Sequence, residues 1–296
     1  MIQSYRMYST GERLRIVVQL SKMRISQLVA LSTMVGYILA TGELSLFMLV
    51  PTLGTFLLSC GSSALNQYQE RGYDALMERT SDRPIPAGRI SAGEGLVVAI
   101  LLMLAGAAVL LLGTNTAALL LGLFNVLWYN GVYTPLKRIS ALAVVPGSLI
   151  GAIPPAIGWA AGGGNLLDGQ ILAVGLFFFV WQIPHFWLLL LNLSKDYERA
   201  GFPTLTRRLS DRQLARITFF LTLATIAACL MLPFFGVGDS PLLYAALLLS
   251  AAWLAWDSRK LLSQTLSRHL FKSRFMAINI YMLLVMLFFS LDRLIG

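Results

Sequence analysis

Charge is what this 296-residue sequence has least of. Asp, Glu, Lys and Arg make up 12% of it, while hydrophobic residues fill 57% and the mean hydropathy is +0.71. A soluble domain carries about 25% charged residues, so this chain cannot cover a water-exposed surface. That excludes a soluble domain and, with it, nucleic-acid binding by one. Cysteine is nearly absent: Cys60 and Cys229 both sit in apolar runs, with no disulfide framework or metal-ligand spacing. There is no Gly-Lys-Ser/Thr phosphate loop, no Gly-x-Ser-x-Gly elbow and no His-Glu-x-x-His pair. Heptad arrays and low-complexity tracts are missing too.

Long apolar runs are what remains. A helix needs about 20 such residues to cross a bilayer core, and nine stretches qualify: 25–42, 45–66, 94–113, 116–133, 141–161, 170–192, 214–236, 240–257 and 274–294. The fold class is therefore all-α, a polytopic membrane helix bundle of about nine transmembrane helices. The basic residues orient it. With the N-terminus cytoplasmic, every Lys and Arg except Arg293 falls in a cytoplasmic segment, as the positive-inside rule requires. Residues 1–24 form a basic arm, expected at the membrane surface. No short apolar core with a cleavage site precedes the first span, so no removed leader is expected. Residues 25–296 read as one transmembrane domain.

Two connections are long, 67–93 and 193–213, and both follow even-numbered spans, which puts them on one side. Each mixes acids, arginines and a proline: "ERTSDRPIPAGRIS" in the first and "KDYERAGFPTLTRRLS" in the second. This is a faint internal repeat. Long polar loops on a compact bundle are more often functional than accidental.

In the first, Asn66, Glu70, Asp74, Glu78 and Asp82 recur at every fourth position. On a helix ending near Pro84, the first four share roughly one face. Like charges at i,i+4 repel, and a helix C-terminus is a poor place for carboxylates. One reading is a solvated helix end whose acids pair with Arg71, Arg79 and Arg83. The other is a set of oxygen ligands for a hard divalent cation, which takes one or two carboxylates plus substrate phosphates. Arginine forks also bind phosphate. "YNGVYTPLKR" ends the fourth span with Lys137 and Arg138, either topology determinants or cations for a departing phosphate oxygen. "FVWQIPHFW" places His185 within a span beside Pro184, between Trp181 and Trp187. A histidine there is either hydrogen-bonded between helices or functional. Asp196 follows about three turns later, while His269 lies in a basic loop and reads as plain surface.

At these residues the chain resembles a known family. "NQYQERGYDALMERTSDRP", "YTPLKR" followed by "GAIPPAIGW", "WQIPHFW" and "DYERAGFPTL" occur in the order found in the UbiA superfamily of intramembrane prenyltransferases. Within it the chain most resembles the protoheme IX farnesyltransferases. There are two departures. Glu70 stands where the family usually has Asp, and Ala200 at i+4 from Asp196 breaks the paired acids of aromatic-substrate relatives.

The resemblance implies farnesyl transfer from farnesyl diphosphate to a vinyl group of heme b, with water addition, giving heme o and diphosphate. It implies Mg²⁺ held by Asn66, Glu70, Asp74 and Asp196. It also implies diphosphate contacts from Arg79, Arg83, Lys137 and Arg138, with Tyr133 at the substrate and His185, Trp181 and Trp187 on the acceptor side. Asn66, Glu70, Asp74, Asp196, Lys137 and His185 are the catalytic set. The active site lies at the cytoplasmic mouth, in a bacterial-type inner membrane. Membrane lipid and a downstream heme-modifying membrane enzyme are the expected neighbours. Glu78 and Asp82 then read as supports that aim Arg79 and Arg83. Two alternatives stand beside this: a prenyltransferase acting on a quinone precursor or other aromatic or lipid acceptor, and a transporter. Transporter sites lie near the bilayer midplane, whereas these charges cluster at one face.

Overall fold

Three serines mark helix starts. Ser9, Ser91 and Ser210 each accept a hydrogen bond from the backbone N–H three residues on, and the side chains of Glu12, Glu94 and Gln213 bond back to the serine N–H. These reciprocal caps satisfy two otherwise orphaned donors each. The computed structural model describes residues 9–296, so the first eight residues of the basic arm lie outside the described residues.

The helices are α1 (Thr10–Leu20), α2 (Met23–Thr41), α3 (Leu49–Asp74), α4 (Ala92–Gly113), α5 (Thr116–Leu127), α6 (Leu149–Ala161), α7 (Gly169–Arg199), α8 (Asp211–Met231), α9 (Pro241–Ser258) and α10 (Arg268–Ile295). A π-helical turn, Trp128–Tyr133, and the turn Thr134–Leu136 continue α5, and Val144–Gly147 precedes α6. Among the described residues, nine helices built on α2–α10 are long and apolar enough to cross a bilayer, and no strand occurs.

Helices run past the apolar stretches of the sequence. α3 continues past residue 66 to Asp74, and α7 past 192 to Arg199. The acids of the α3 extension are paired by neighbouring segments; in α7's extension Glu198 accepts from Thr204 and Thr206, while Lys195 and Arg199 are exposed. The i,i+4 run does not stay helical to Pro84, however. α3 stops at Asp74, where Thr80 Oγ1 donates to the Asp74 carbonyl at 2.8 Å, and the chain turns back. Glu78 and Asp82 are thereby taken off the face that carries the other three.

Apolar side chains cover the outside, as lipid permits, and the inside is closed by close backbone approach. A Cβ on Gly36 of α2 would lie 1.9 Å from the Pro155 carbonyl oxygen of α6, and one on Gly158 would lie 1.8 Å from that of Thr33. Only glycine fits at these two crossings. One core cluster joins α7–α10 with parts of α2 and α6; a second lies among α3–α6, around Leu58, Leu110 and Ile157.

Both long connections emerge at the same end. Met77, Ala200 and Phe202 are buried together there, flanked by Tyr73 and Tyr197, and the Tyr73 and Phe202 rings lie 4.8 Å apart. At the opposite end Arg293 Nε donates to the Leu39 carbonyl of α2 at 3.2 Å. That places a cation on a helix C-terminus, where the dipole favours it, and ties the last span to the first.

Candidate active site

Asn66, Glu70 and Asp74 share one face of α3 at successive turns and are 1%, 3% and 0% exposed. Buried carboxylates need partners, and each position meets a group from a different segment. Lys22 Nζ donates to Asn66 Oδ1 at 2.9 Å. Lys137 Nζ straddles Glu70, 2.6 Å from Oε1 and 2.7 Å from Oε2; its hydrogen bond goes to Oε2 and leaves Oε1 without one. Arg83 Nη1 lies 2.8 and 2.7 Å from the two oxygens of Asp74. Two acids thus face three bases.

Lys137 is delivered by the π-helical turn. There the Thr134 N–H bonds to the Tyr129 carbonyl, five residues back. The next carbonyl, of Asn130, would meet Pro135, which has no N–H. Gln69 Nε2 satisfies it instead at 3.0 Å. The Asn130 amide in turn donates to the Ser62 carbonyl at 3.0 Å and to Gln69 Oε1 at 3.1 Å, and Asn66 Nδ2 donates to Thr134 Oγ1 at 3.2 Å. π-Helical turns gather at functional sites. This one fastens the end of α5 to α3 beside the acids.

Lys22 is the residue that motif reasoning missed. It sits between α1 and α2 at φ 43°, ψ 49°, the only non-glycine with positive φ among the described residues. Such a conformation costs a non-glycine residue roughly 1–2 kcal/mol. Desolvation, reinforced by the charges of Arg83 and Lys137, lowers its pKa to about 7. It belongs to no motif; its one signal was a lone lysine directly before the first span.

The other expected residues divide. Tyr133 is buried with its ring 5.6 Å from Lys137 Nζ, and so borders the cluster. Arg138 grips α3 instead: Nη2 donates to the Gln69 carbonyl at 2.7 Å, with the guanidinium 5.2 Å from the Tyr73 ring centre. Arg79 is exposed and makes no hydrogen bond or ion pair with the described residues. Glu78 and Asp82 do not aim Arg79 or Arg83. Glu78 pairs with Arg199 at 3.7 Å on the surface, Asp82 uses only its carbonyl, to Arg89, and it is Asp74 that aims Arg83. The side chain of the half-buried Asp196, near the end of α7, makes no hydrogen bond or ion pair with the described residues, so none joins it to the cluster. His185 lies between the rings of Trp181 (4.8 Å) and Phe275 (4.6 Å), its Nδ1 without a partner, while Trp181 Nε1 donates to the Ile278 carbonyl at 3.1 Å. Trp187 falls on another face of α7, buried in the core. His269 is exposed, as expected.

Among the described residues no three His, Cys, Asp or Glu side chains converge. The α3 donors, two carboxylates and an amide, suit a hard cation that draws its remaining ligands from a substrate. Both Glu70 oxygens lie against the Lys137 ammonium, so an ion bound there would share them with that lysine. Three bases against two acids leave the site short of negative charge. What it can hold is a metal-bound polyanion.

An integral membrane helix bundle with a buried acid–base cluster at one mouth is the class that fold and site define. The UbiA prenyltransferase family model matches residues 29–281, and the chain belongs to that family. A protoheme IX farnesyltransferase of Oleidesulfovibrio alaskensis is 34% identical over 95% of this chain and 98% of its own. Among solved structures, a digeranylgeranylglyceryl phosphate synthase superposes with a TM-score of 0.77 over 96% of this chain and all of its own, at 15% identity. A UbiA homolog from Archaeoglobus fulgidus bound to GPP and Mg²⁺ gives 0.60 over 93% of this chain and 99% of its own, at 16% identity.

Proposed function

We propose that the protein transfers a farnesyl group from farnesyl diphosphate to a vinyl group of heme b, adding water, and releases heme o and diphosphate. The observation that carries the chemistry is the cluster itself: three bases held on the oxygen ligands of one helix face. Resemblance to the protoheme IX farnesyltransferases supplies the acceptor.

Asn66, Glu70 and Asp74 would hold Mg²⁺, with Asp196 joining from the end of α7. The ion would supply charge neutralisation of the diphosphate oxygens as the leaving group departs. The chain's own residues do the rest. Lys22, Arg83 and Lys137 sit where the diphosphate charge grows, a preorganised electrostatic contribution; Arg79 and Arg138 would contact it from the rim. The farnesyl C1–O bond breaks with its electron pair leaving on diphosphate, and the vinyl terminus bonds to C1. The cation left on the inner vinyl carbon takes water, which gives up a proton. Tyr133 flanks the reacting carbons, and the apolar helices exclude other water. His185 Nδ1, without a partner among the described residues, is our choice for receiving that proton, with Trp181 bordering the acceptor; Trp187, in the core on another face of α7, would only support the helix.

We further place the site end toward the cytoplasm, in a bacterial-type inner membrane, on the distribution of basic residues. The basic arm would lie on that surface, and a heme-modifying membrane enzyme would consume the product. Purified protein with Mg²⁺, farnesyl diphosphate and heme b should yield a porphyrin whose mass has grown by a farnesyl group and a hydroxyl. If mass spectrometry shows unchanged heme and a prenylated quinone precursor in a parallel reaction, the acceptor is misassigned.

A further inference from the structure

Lys22 reaches the site from outside the membrane domain, and something must hold it there. Its backbone is in the left-handed region, and its side chain bonds only to Asn66. The residue next to Asn66 provides the hold. Gln67 is 1% exposed, and its Nε2 donates to two carbonyls at the end of α1, Gln19 at 2.9 Å and Leu20 at 3.0 Å. Both lie in the last turn of α1, where carbonyls lack their i+4 partner, and the Gln19 carbonyl also accepts from the Lys22 N–H at 3.4 Å. α1 also docks through Ile16 and Leu20, which are buried with Ala64 of α3, Ile85 and Ala99. Ser26 Oγ donates to the Ser21 carbonyl at 3.0 Å and fixes the far side of the same bend. The bend that carries Lys22 is thus clamped from both sides.

We infer that Gln67 is a positioning residue for diphosphate binding: it fastens the end of α1 to α3 and so holds the Lys22 ammonium at the Asn66 end of the cluster. Adjacent residues of α3 then have divided tasks, Asn66 facing the substrate and Gln67 facing the segment that brings the third base. α1, which crosses nothing, becomes part of the substrate site. This rests on the diphosphate reading proposed above and adds to it which residue sets the affinity.

The test is a double-mutant cycle on the full-length protein in nanodiscs, measuring binding of farnesyl diphosphate with Mg²⁺ by calorimetry, without acceptor. Gln67→Met keeps the shape and removes both donors. It should weaken binding about tenfold, the loss expected when two ordinary hydrogen bonds go. Lys22→Met should weaken it at least as much, and Gln67→Met added to Lys22→Met should cost nothing further. In the turnover assay Gln67→Met should raise KM for farnesyl diphosphate and leave KM for heme b unchanged. Hydrogen exchange of the α1 amides should quicken in Gln67→Met. Should that variant not accumulate in the membrane, Gln67→Asn, too short to reach either carbonyl, takes its place in the cycle. Additive losses in the double mutant, or unchanged affinity in either Gln67 variant, overturn the inference. Wild-type protein that does not bind farnesyl diphosphate overturns the functional reading instead.

Discussion

Glu70 and Asp74 are nearly unexposed, and each holds a base, Lys137 and Arg83 respectively. Removing one partner of a buried pair strands the other, at about 3–5 kcal/mol. Glu70→Gln and Asp74→Asn should therefore abolish Mg²⁺-dependent turnover and also lower the melting midpoint in detergent. Loss of turnover with full prenyl diphosphate flux across vesicles would mean a transporter. Glu70→Asp keeps the charge and should retain metal-dependent product formation; if it is as dead as Glu70→Gln, reach matters more than charge. Lys137→Met should slow turnover about 100-fold or more, the size of effect seen when one stabilising donor is lost. The acids, Lys137 and Arg83 were legible in the sequence because spacing and the family motifs carry them. Which base meets which acid was not. Arg83 reaches Asp74 only because the chain folds back after α3, and neither spacing nor charge encodes that turn. Lys22 was hidden for a related reason: it stands at a break between helices, where no periodicity exists to flag it.

Spans are easier to read than their ends. All nine spans follow from hydropathy alone, but α3 runs further than its apolar stretch because its acids are paired inside the protein, and α7 runs on to an exposed end at Arg199. The π-helical turn has no hydropathy signature. Its traces are Asn130 within an apolar span and Pro135 five residues later, which together leave a carbonyl for Gln69. Asn130→Leu should leave the Gln69 side chain and the Ser62 carbonyl short of partners, costing roughly 1–3 kcal/mol for each group left buried and unpaired. It should also loosen Lys137, so that turnover falls more than stability alone explains; equal losses would reduce the turn to scaffolding. Gly158→Ala forces a methyl against the Thr33 carbonyl, and overpacking of this kind costs about 1–3 kcal/mol. A midpoint unchanged by that substitution would show that α2 and α6 can move apart freely.

Across the whole molecule, charge and topology agree: both long connections meet at one end, and Arg293 is the lone basic residue assigned to the other. A cysteine placed at Arg79 should react with impermeant maleimide only from the cytoplasmic side, and one at Leu167 only from the opposite side. The reverse pattern would invert the proposed orientation. The ring of spans also has a history. Arg293 and Leu39, whose contact joins α10 to α2, stand 254 residues apart in the chain. A ribosome adding about 5–20 residues per second makes Arg293 roughly 13–50 s after Leu39. For that interval the last turn of α2 waits in the bilayer without this donor, and the bundle stays open on that side. A nascent chain arrested before α10 would hold every acid and base of the cluster, yet its first span would lack this tie at the far end. On that side α10 shuts the bundle.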